Sequence, residues 1–393
     1  MGINDTPSAE RMHIGFFGVR NAGKSSLVNR ITNQEVSVVS DVKGTTTDAV
    51  RKTMELLPLG PVEIIDTPGY DDEGVLGNKR VEQTKKVLDA CDIAVLVTES
   101  ENELSEFENE LISIFNDKSI PYLIARNKSD LYESKENSKL DIYVSAKDNT
   151  GIEELKNAIA TNLKLKEKTV RFVADFINKG DTVILVTPID ESAPKGRMIL
   201  PQQQAIRDII DNGSVAVVTQ VEQLEAAINN LKASPALVVT DSQAFKAVMS
   251  IVPDSIPLTS FSILMARYKG FLDMAYEGAK AIDKLNEEAS ILISEGCTHH
   301  RQCEDIGTVK LPKWLTQRTG KYFNFEFTSG HGFPDDLSKY DLIIHCGACM
   351  LGDKEVASRM EKAKAQGIPI TNYGTVIAHI NGILERSTEI IYK

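Results

Sequence analysis

The sequence predicts an α/β protein with mostly parallel sheets, a phosphate-loop nucleotide-binding domain followed by two smaller α/β domains. Three observations predict it. Short runs of branched apolar residues alternate with helix-like patterns along most of the chain. A glycine-rich segment, Gly18 to Ser25, stands between the first strand-like run and the first helix-like one. The alternation restarts twice, which divides the chain into residues 1–168, 169–268 and 269–393. At 393 residues the chain is too long for one core and suits two or three domains of ordinary size.

In the first domain, Met12–Gly18, Val62–Asp66, Ile93–Thr98, Pro121–Asn127 and Ile142–Ser145 read as strands. Lys24–Ile31, Arg80–Leu88 and Glu101–Asp117 read as helices between them. The lysine-rich segment Leu163–Thr169 marks the first boundary. Beyond it, Thr182–Val186, Val215–Thr219 and Leu237–Thr240 read as strands, with helices at Gln202–Asp211 and Gln223–Leu231. This middle block has no cysteine, histidine or phosphate loop and reads as a structural or association module. Ser262–Leu285 reads as one long helix leading into the third block, whose strands are Ser290–Ile293, Tyr322–Thr328, Asp341–Ile344 and Ile368–Thr371.

Composition excludes several classes. Hydrophobic residues make up 42% and charged residues 25%, as in a folded globular chain. The net charge of −12 argues against a nucleic-acid partner. No apolar run reaches the length of a membrane span, and no secretory signal is visible, so the expectation is a cytoplasmic protein with no membrane partner.

Gly18-Val19-Arg20-Asn21-Ala22-Gly23-Lys24-Ser25, followed by Ser26, has the G-x-x-x-x-G-K-[ST] spacing of a phosphate loop. Its backbone N–H groups curl around phosphates at a helix N-terminus. Lys24 would reach the β- and γ-phosphates, and Ser25 would place its hydroxyl on Mg²⁺. Four more elements follow in order. Gly44-Thr-Thr-Thr-Asp48 lies in a loop after the first helix. Asp66-Thr-Pro-Gly69 supplies a carboxylate near the metal and an N–H near the γ-phosphate. Asn127-Lys128-Ser-Asp130 supplies a carboxylate that selects guanine through N1 and the 2-amino group. Ser145-Ala146-Lys147 backs the base. All four follow strand ends or loops where open α/β sheets bind ligands. The first domain is therefore expected to be a P-loop GTPase domain with GTP and Mg²⁺ as its ligands. Lys24, Asp66 and Gly69 are the expected catalytic set. The residue after Gly69 is Tyr70, which has no amide to orient water.

This block resembles the Era and TrmE/MnmE group of GTPases, on its Gly-Thr-Thr-x-Asp form. The resemblance implies that Thr46 binds Mg²⁺ and joins the catalytic set. It also implies that Asn21 helps hold a K⁺ ion, with potassium-stimulated turnover.

Four of the five cysteines, Cys297, Cys303, Cys346 and Cys349, lie in the last 97 residues. Cys91 stands apart and reads as a small buried hydrophobe. Cys297-Thr-His299 and His345-Cys-Gly-Ala-Cys349 have 45 residues between His299 and His345, and each follows an expected strand. In a parallel sheet the two loops would share one edge. His331 and Cys303 follow strand ends too. Three thiolates with an imidazole suit either zinc or an iron–sulfur cluster. A Cys-x-x-Cys redox pair is a further reading of Cys346 and Cys349.

Cys-x-His followed at this distance by His-Cys-x-x-Cys, behind such a GTPase domain, resembles one family over the whole chain: the FeFe-hydrogenase maturation GTPase HydF. The resemblance implies a 4Fe–4S cluster on Cys297, Cys346 and Cys349, with His299 and His345 as the motif histidines. Cys303 lies outside the motif and is a possible fourth ligand. The resemblance further implies a scaffold that carries a diiron precursor to apo FeFe-hydrogenase, two radical-SAM maturases as partners, and a homodimer through the middle domain. Its rival is a tRNA-modification or ribosome-assembly GTPase with a structural zinc site.

Overall fold

The computed structural model describes residues 7–33, 49–69, 84–101, 103–132, 136–163, 169–189, 198–296, 305–330 and 332–393. The chain divides into two compact units, Met1–Glu167 with Gly352–Glu355, and Lys168–Leu351 with Val356–Lys393. Thr46, Tyr70, Cys297, His299, Cys303 and His331 lie outside the described residues.

The first unit is built on β1 (Met12–Phe17), β2 (Val50–Leu56), β3 (Gly60–Asp66), β4 (Ile93–Glu99), β5 (Tyr122–Asn127) and β6 (Asp141–Tyr143). They form one sheet in the order β2-β3-β1-β4-β5-β6. Every pair is parallel except β2 with β3. The five expected strands are all present. The sixth, β2, was not expected: its Val-Arg-Lys-Thr-Met-Glu-Leu run carries charges that hide an edge strand. The central strands β1 and β4 are buried on both faces, and helices cover them. Ile14, Phe16, Val95 and Val97 pack with Leu27, Val28 and Ile31 of the helix Lys24–Thr32. Phe17, Ala94 and Leu96 pack on the other face with Leu111 and Phe115 of the helix Glu106–Asp117. That helix starts five residues later than the pattern implied. Ser105 and Glu108 close a capping box there and stop it from extending backward. Cys91 is 1% exposed within this second layer, as expected.

The second unit holds two parallel sheets. One joins β7 (Thr182–Val186), β8 (Val215–Thr219), β9 (Leu237–Thr240) and β10 (Leu258–Ser260) in the order β10-β9-β7-β8. The other joins β11 (Ser290–Glu295), β12 (Asn324–Ser329), β13 (Leu342–His345) and β14 (Ile370–Asn372) in the order β12-β11-β13-β14. One apolar core runs through both: Ile184 and Val238 of the first belong to the same cluster as Ile291 and Ile343 of the second. The expected boundary after residue 268 falls inside this unit.

The single long helix expected over Ser262–Leu285 is two helices, Phe261–Tyr268 and Leu272–Ala281. Gly270 separates them at φ +79°, a left-handed conformation that ends a helix. Ala266 and Ala279 stay buried on either side of the break, so the apolar pattern runs through it and mimics one continuous helix.

Candidate functional site

The nucleotide site forms where β1 hands over to the helix Lys24–Thr32, at the C-terminal edge of the parallel strands. Gly18 sits at φ +141°, and a Cβ there would stand 2.2 Å from the Val97 carbonyl oxygen. Gly23 sits at φ +87°, and a Cβ there would stand 2.2 Å from Asn127 Nδ2. Both positions therefore require glycine for space as well as for conformation. Asn21 takes φ +61° on the exposed side of the loop. Lys24 is 7% exposed, and its ammonium donates to the Gly18 and Val19 carbonyls at 2.9 and 2.8 Å. That arrangement holds the cation inside the loop whose amides cradle phosphate.

Asp66 ends β3 beside this loop and is 4% exposed. Burial raises its pKa, while the Ser25 hydroxyl hydrogen bond and the charges of Lys24 and Lys52 pull it back in part. Its Oδ1 is buried with no hydrogen-bond partner among the described residues. An orphaned carboxylate oxygen next to a serine hydroxyl is a hard-oxygen donor set, and it fits Mg²⁺. Thr67 anchors the following turn by donating its hydroxyl to the Phe16 carbonyl at 2.6 Å.

The base side is organised by Asn127 at the end of β5, which is 2% exposed. Its Nδ2 donates to the Ala22 carbonyl at 2.9 Å, and its Oδ1 accepts from the Ala146 N–H at 3.2 Å. Lys128 turns the chain at φ +63° and pairs with Glu99. Asp130 accepts a 2.8 Å hydrogen bond from the fully buried Ser145 hydroxyl, and Lys147 Nζ lies 3.6 Å away. These two partners fix the orientation of the carboxylate. Sequence reasoning missed one brace: Arg30 donates to the Ala146 and Lys147 carbonyls at 2.9 and 3.2 Å. Its position in the last turn of the helix was the only available signal.

The second site is the cysteine turn after β13. Register places it: β11 and β13 are parallel neighbours, with Ser294 opposite His345. Cys346 Sγ accepts from the Gly296 N–H at 3.0 Å and from the Ala348 N–H at 3.4 Å. The residue after Gly296 is Cys297, so the two expected half-motifs follow adjacent strand ends. Burial raises the Cys346 thiol pKa, and these N–H groups with the Arg359 charge oppose it. Burial and the neighbouring Cys346 push the Cys349 thiol up to about 11. Both cysteines are free. Two thiols in one turn, one of them already accepting N–H hydrogen bonds, fit the sulfur environment of an iron–sulfur cluster. Among the described residues there is no group of three or more metal-ligating side chains.

His345 is held through its ring by protein groups. It is fully buried as the last residue of β13, with Nδ1 2.9 Å from the Cys346 carbonyl and Nε2 2.9 Å from Arg359 Nη1. A guanidinium only donates, so Nε2 accepts and Nδ1 carries the proton to the carbonyl. Arg359, 3% exposed, also donates to the Gly330 carbonyl at 2.6 Å. Both ring nitrogens are thus engaged with protein groups, which makes His345 a support for the turn in this geometry. Beside it, Tyr373 donates to the buried Glu295 at 3.0 Å. Arg359, Glu295 and Tyr373 carry no motif signature.

The fold and first site define a P-loop GTPase domain, and residues 13–128 match the model of the 50S ribosome-binding GTPase family. Residues 172–270 match the hydrogen maturase F dimerization domain, and residues 273–390 match its tetramerization domain. The chain belongs to the hydrogen maturase F family.

Its first domain is similar to a wider set of GTPases. It is 32% identical over 151 residues to the tRNA modification GTPase MnmE of Acetivibrio thermocellus, covering 36% of this chain and 32% of that protein. It is 35% identical over 147 residues to MnmE of Coxiella burnetii, with the same shares. The chain therefore spans about a third of the length of these relatives. A solved structure of Era from Aquifex aeolicus is similar at 19% identity and TM-score 0.36, covering 52% of this chain and 91% of that one. No helix among the described residues is long and apolar enough to cross a membrane.

Proposed function

We propose that this protein is a hydrogenase-maturation scaffold that hydrolyses GTP and carries a 4Fe–4S cluster on Cys297, Cys346 and Cys349. The observation that carries the proposal is the 3.0 Å contact of the Gly296 N–H with Cys346 Sγ. It brings the chain just before Cys297 to the sulfur of the Cys-x-x-Cys turn. The matches over residues 172–270 and 273–390 favour this reading over a tRNA-modification GTPase with structural zinc. Bound by three thiolates, the cluster would keep one iron without a cysteine, the position at which a diiron precursor attaches. The protein's own part is to hold the sulfurs in a buried turn, donate N–H hydrogen bonds to them, and brace the turn through His345 and Arg359.

GTP and Mg²⁺ are assigned to the first domain, with Ser25 and Thr46 on the metal, Lys24 and Gly69 at the γ-phosphate, and Asp130 on guanine. K⁺ stimulation through Asn21 belongs to the same proposal. The partners are two radical-SAM maturases as suppliers and apo FeFe-hydrogenase as recipient, in the cytoplasm. Homodimerisation is assigned to residues 169–268 and cluster binding to residues 269–393. Support for the first comes from β8, an edge strand that leaves Val215 and Val218 52% and 46% exposed.

Anaerobic reconstitution with iron and sulfide tests the proposal. A cubane EPR signal after reduction is expected. Zinc in the purified protein with no such signal would overturn it. Equal GTP turnover in K⁺ and Na⁺ would remove the role given to Asn21.

A further inference from the structure

Lys52 belongs to none of the nucleotide motifs, yet it is only 4% exposed. It lies on the antiparallel edge strand β2, opposite Ile64 of β3. Residues two apart on a strand share a face, so Lys52, Ile64 and Asp66 point to the same side of the sheet. That side is the one covered by the helix Lys24–Thr32. Lys52 Nζ donates to Asn29 Oδ1 on that helix. Asn29 lies four residues after Ser25, on the same helix face. Ser25 in turn hydrogen-bonds Asp66. A buried ammonium thus stands behind the pair of oxygens that fits Mg²⁺. Burial lowers the Lys52 pKa, and the Asp66 charge opposes that in part.

We propose that Lys52 is a positioning residue that sets how tightly the nucleotide's Mg²⁺ is retained. A fixed cation beside Asp66 repels the dication and balances the carboxylate once the metal has left. Mg²⁺, and with it GDP, is then held more weakly than Ser25 and Asp66 alone would hold it. Edge strand β2 thereby takes part in nucleotide exchange through its charge. The inference rests on the Mg²⁺·GTP assignment of this site.

Dissociation of fluorescently labelled GDP from the full chain, followed across a Mg²⁺ series, tests it. Lys52→Met is expected to move the half-maximal Mg²⁺ concentration for GDP retention several-fold lower. Lys52→Gln, which keeps a donor for Asn29 and removes the charge, should do the same and decides the matter if Lys52→Met does not fold. Lys52→Arg, which keeps the charge, should bring the midpoint back toward that of the unaltered chain. A merely structural role would speed GDP release at every Mg²⁺ concentration and leave the midpoint in place. An unchanged or higher midpoint in the uncharged variants overturns the proposal. Failure of the unaltered chain to retain GDP in a Mg²⁺-dependent way would instead overturn the site assignment itself.

Discussion

Gly296 donates its backbone N–H to the sulfur of Cys346 across 3.0 Å, although 49 residues separate them in the chain. Strand register brings the two residues close, because Ser294 and His345 are paired neighbours on β11 and β13. The cysteine turn is therefore positioned by a sheet in the second unit, and the nucleotide loops by a different sheet in the first.

Separate scaffolds predict separable losses. Cys346→Ser is expected to abolish iron incorporation on anaerobic reconstitution and to leave GTP turnover intact. Iron and sulfide assays beside a phosphate-release assay check it. Loss of both activities in a folded variant would contradict independent sites.

The aimed carboxylate of Asp130 predicts a large effect on guanine binding. A hydrogen bond to a charged group contributes about 1.5–3 kcal/mol, so Asp130→Ala should weaken GDP binding roughly tenfold to a hundredfold. Titration with labelled GDP measures it. An ATP affinity that falls equally would show damage to the phosphate loop in place of lost base selection.

Arg30 predicts a smaller effect by another route. It holds the Ala146 and Lys147 carbonyls from the helix, and loss of such hydrogen bonds costs about 0.5–1.5 kcal/mol each. Arg30→Ala should raise the GDP dissociation constant a few-fold and leave its Mg²⁺ dependence alone. A shift in Mg²⁺ dependence would place the effect at the phosphates.

Acid stability has a signature at Glu63. Burial raises its pKa, but hydrogen bonds from Arg51 and Ser8 and the nearby His13 outweigh that and hold the carboxyl below its usual range. A depressed carboxyl contributes stability above the unfolded-state pKa of about 4.3, and that contribution is lost as pH falls through the folded-state value. Arg51→Met should thus be most destabilising at neutral pH, and its gap from the unaltered chain should close on acidification. Denaturation midpoints from about pH 7 to pH 3 report it. A gap that stays constant would assign the effect to packing.

The legible parts of the molecule were those whose chemistry is local. The phosphate loop must have Gly18 and Gly23, because each leaves room for another strand's atoms, and the spacing of those glycines survives in the sequence. Parallel strands buried on both faces read as apolar runs, so β1, β4 and β13 were visible. β2 was not, since an edge strand alternates charges such as Arg51 and Glu55 with apolar residues. The break at Gly270 was masked by apolar residues that continue on both sides of it. Arg359 and its hold on His345 could not be read at all, because that pairing depends on how a helix packs on the sheet. His345 reads as a motif histidine in the sequence, and its contacts with Arg359 and the Cys346 carbonyl become visible only in the fold.

Asn127 has a consequence for how substitutions combine. One amide grips the Ala22 carbonyl in the phosphate loop and the Ala146 N–H in the base loop. The phosphate loop and the base loop therefore share a mechanical link through this side chain. Defects introduced separately at the two ends will not sum in free energy, because the second acts on a link the first has already slackened. Epistasis between loops more than a hundred residues apart in the chain is written into one side chain.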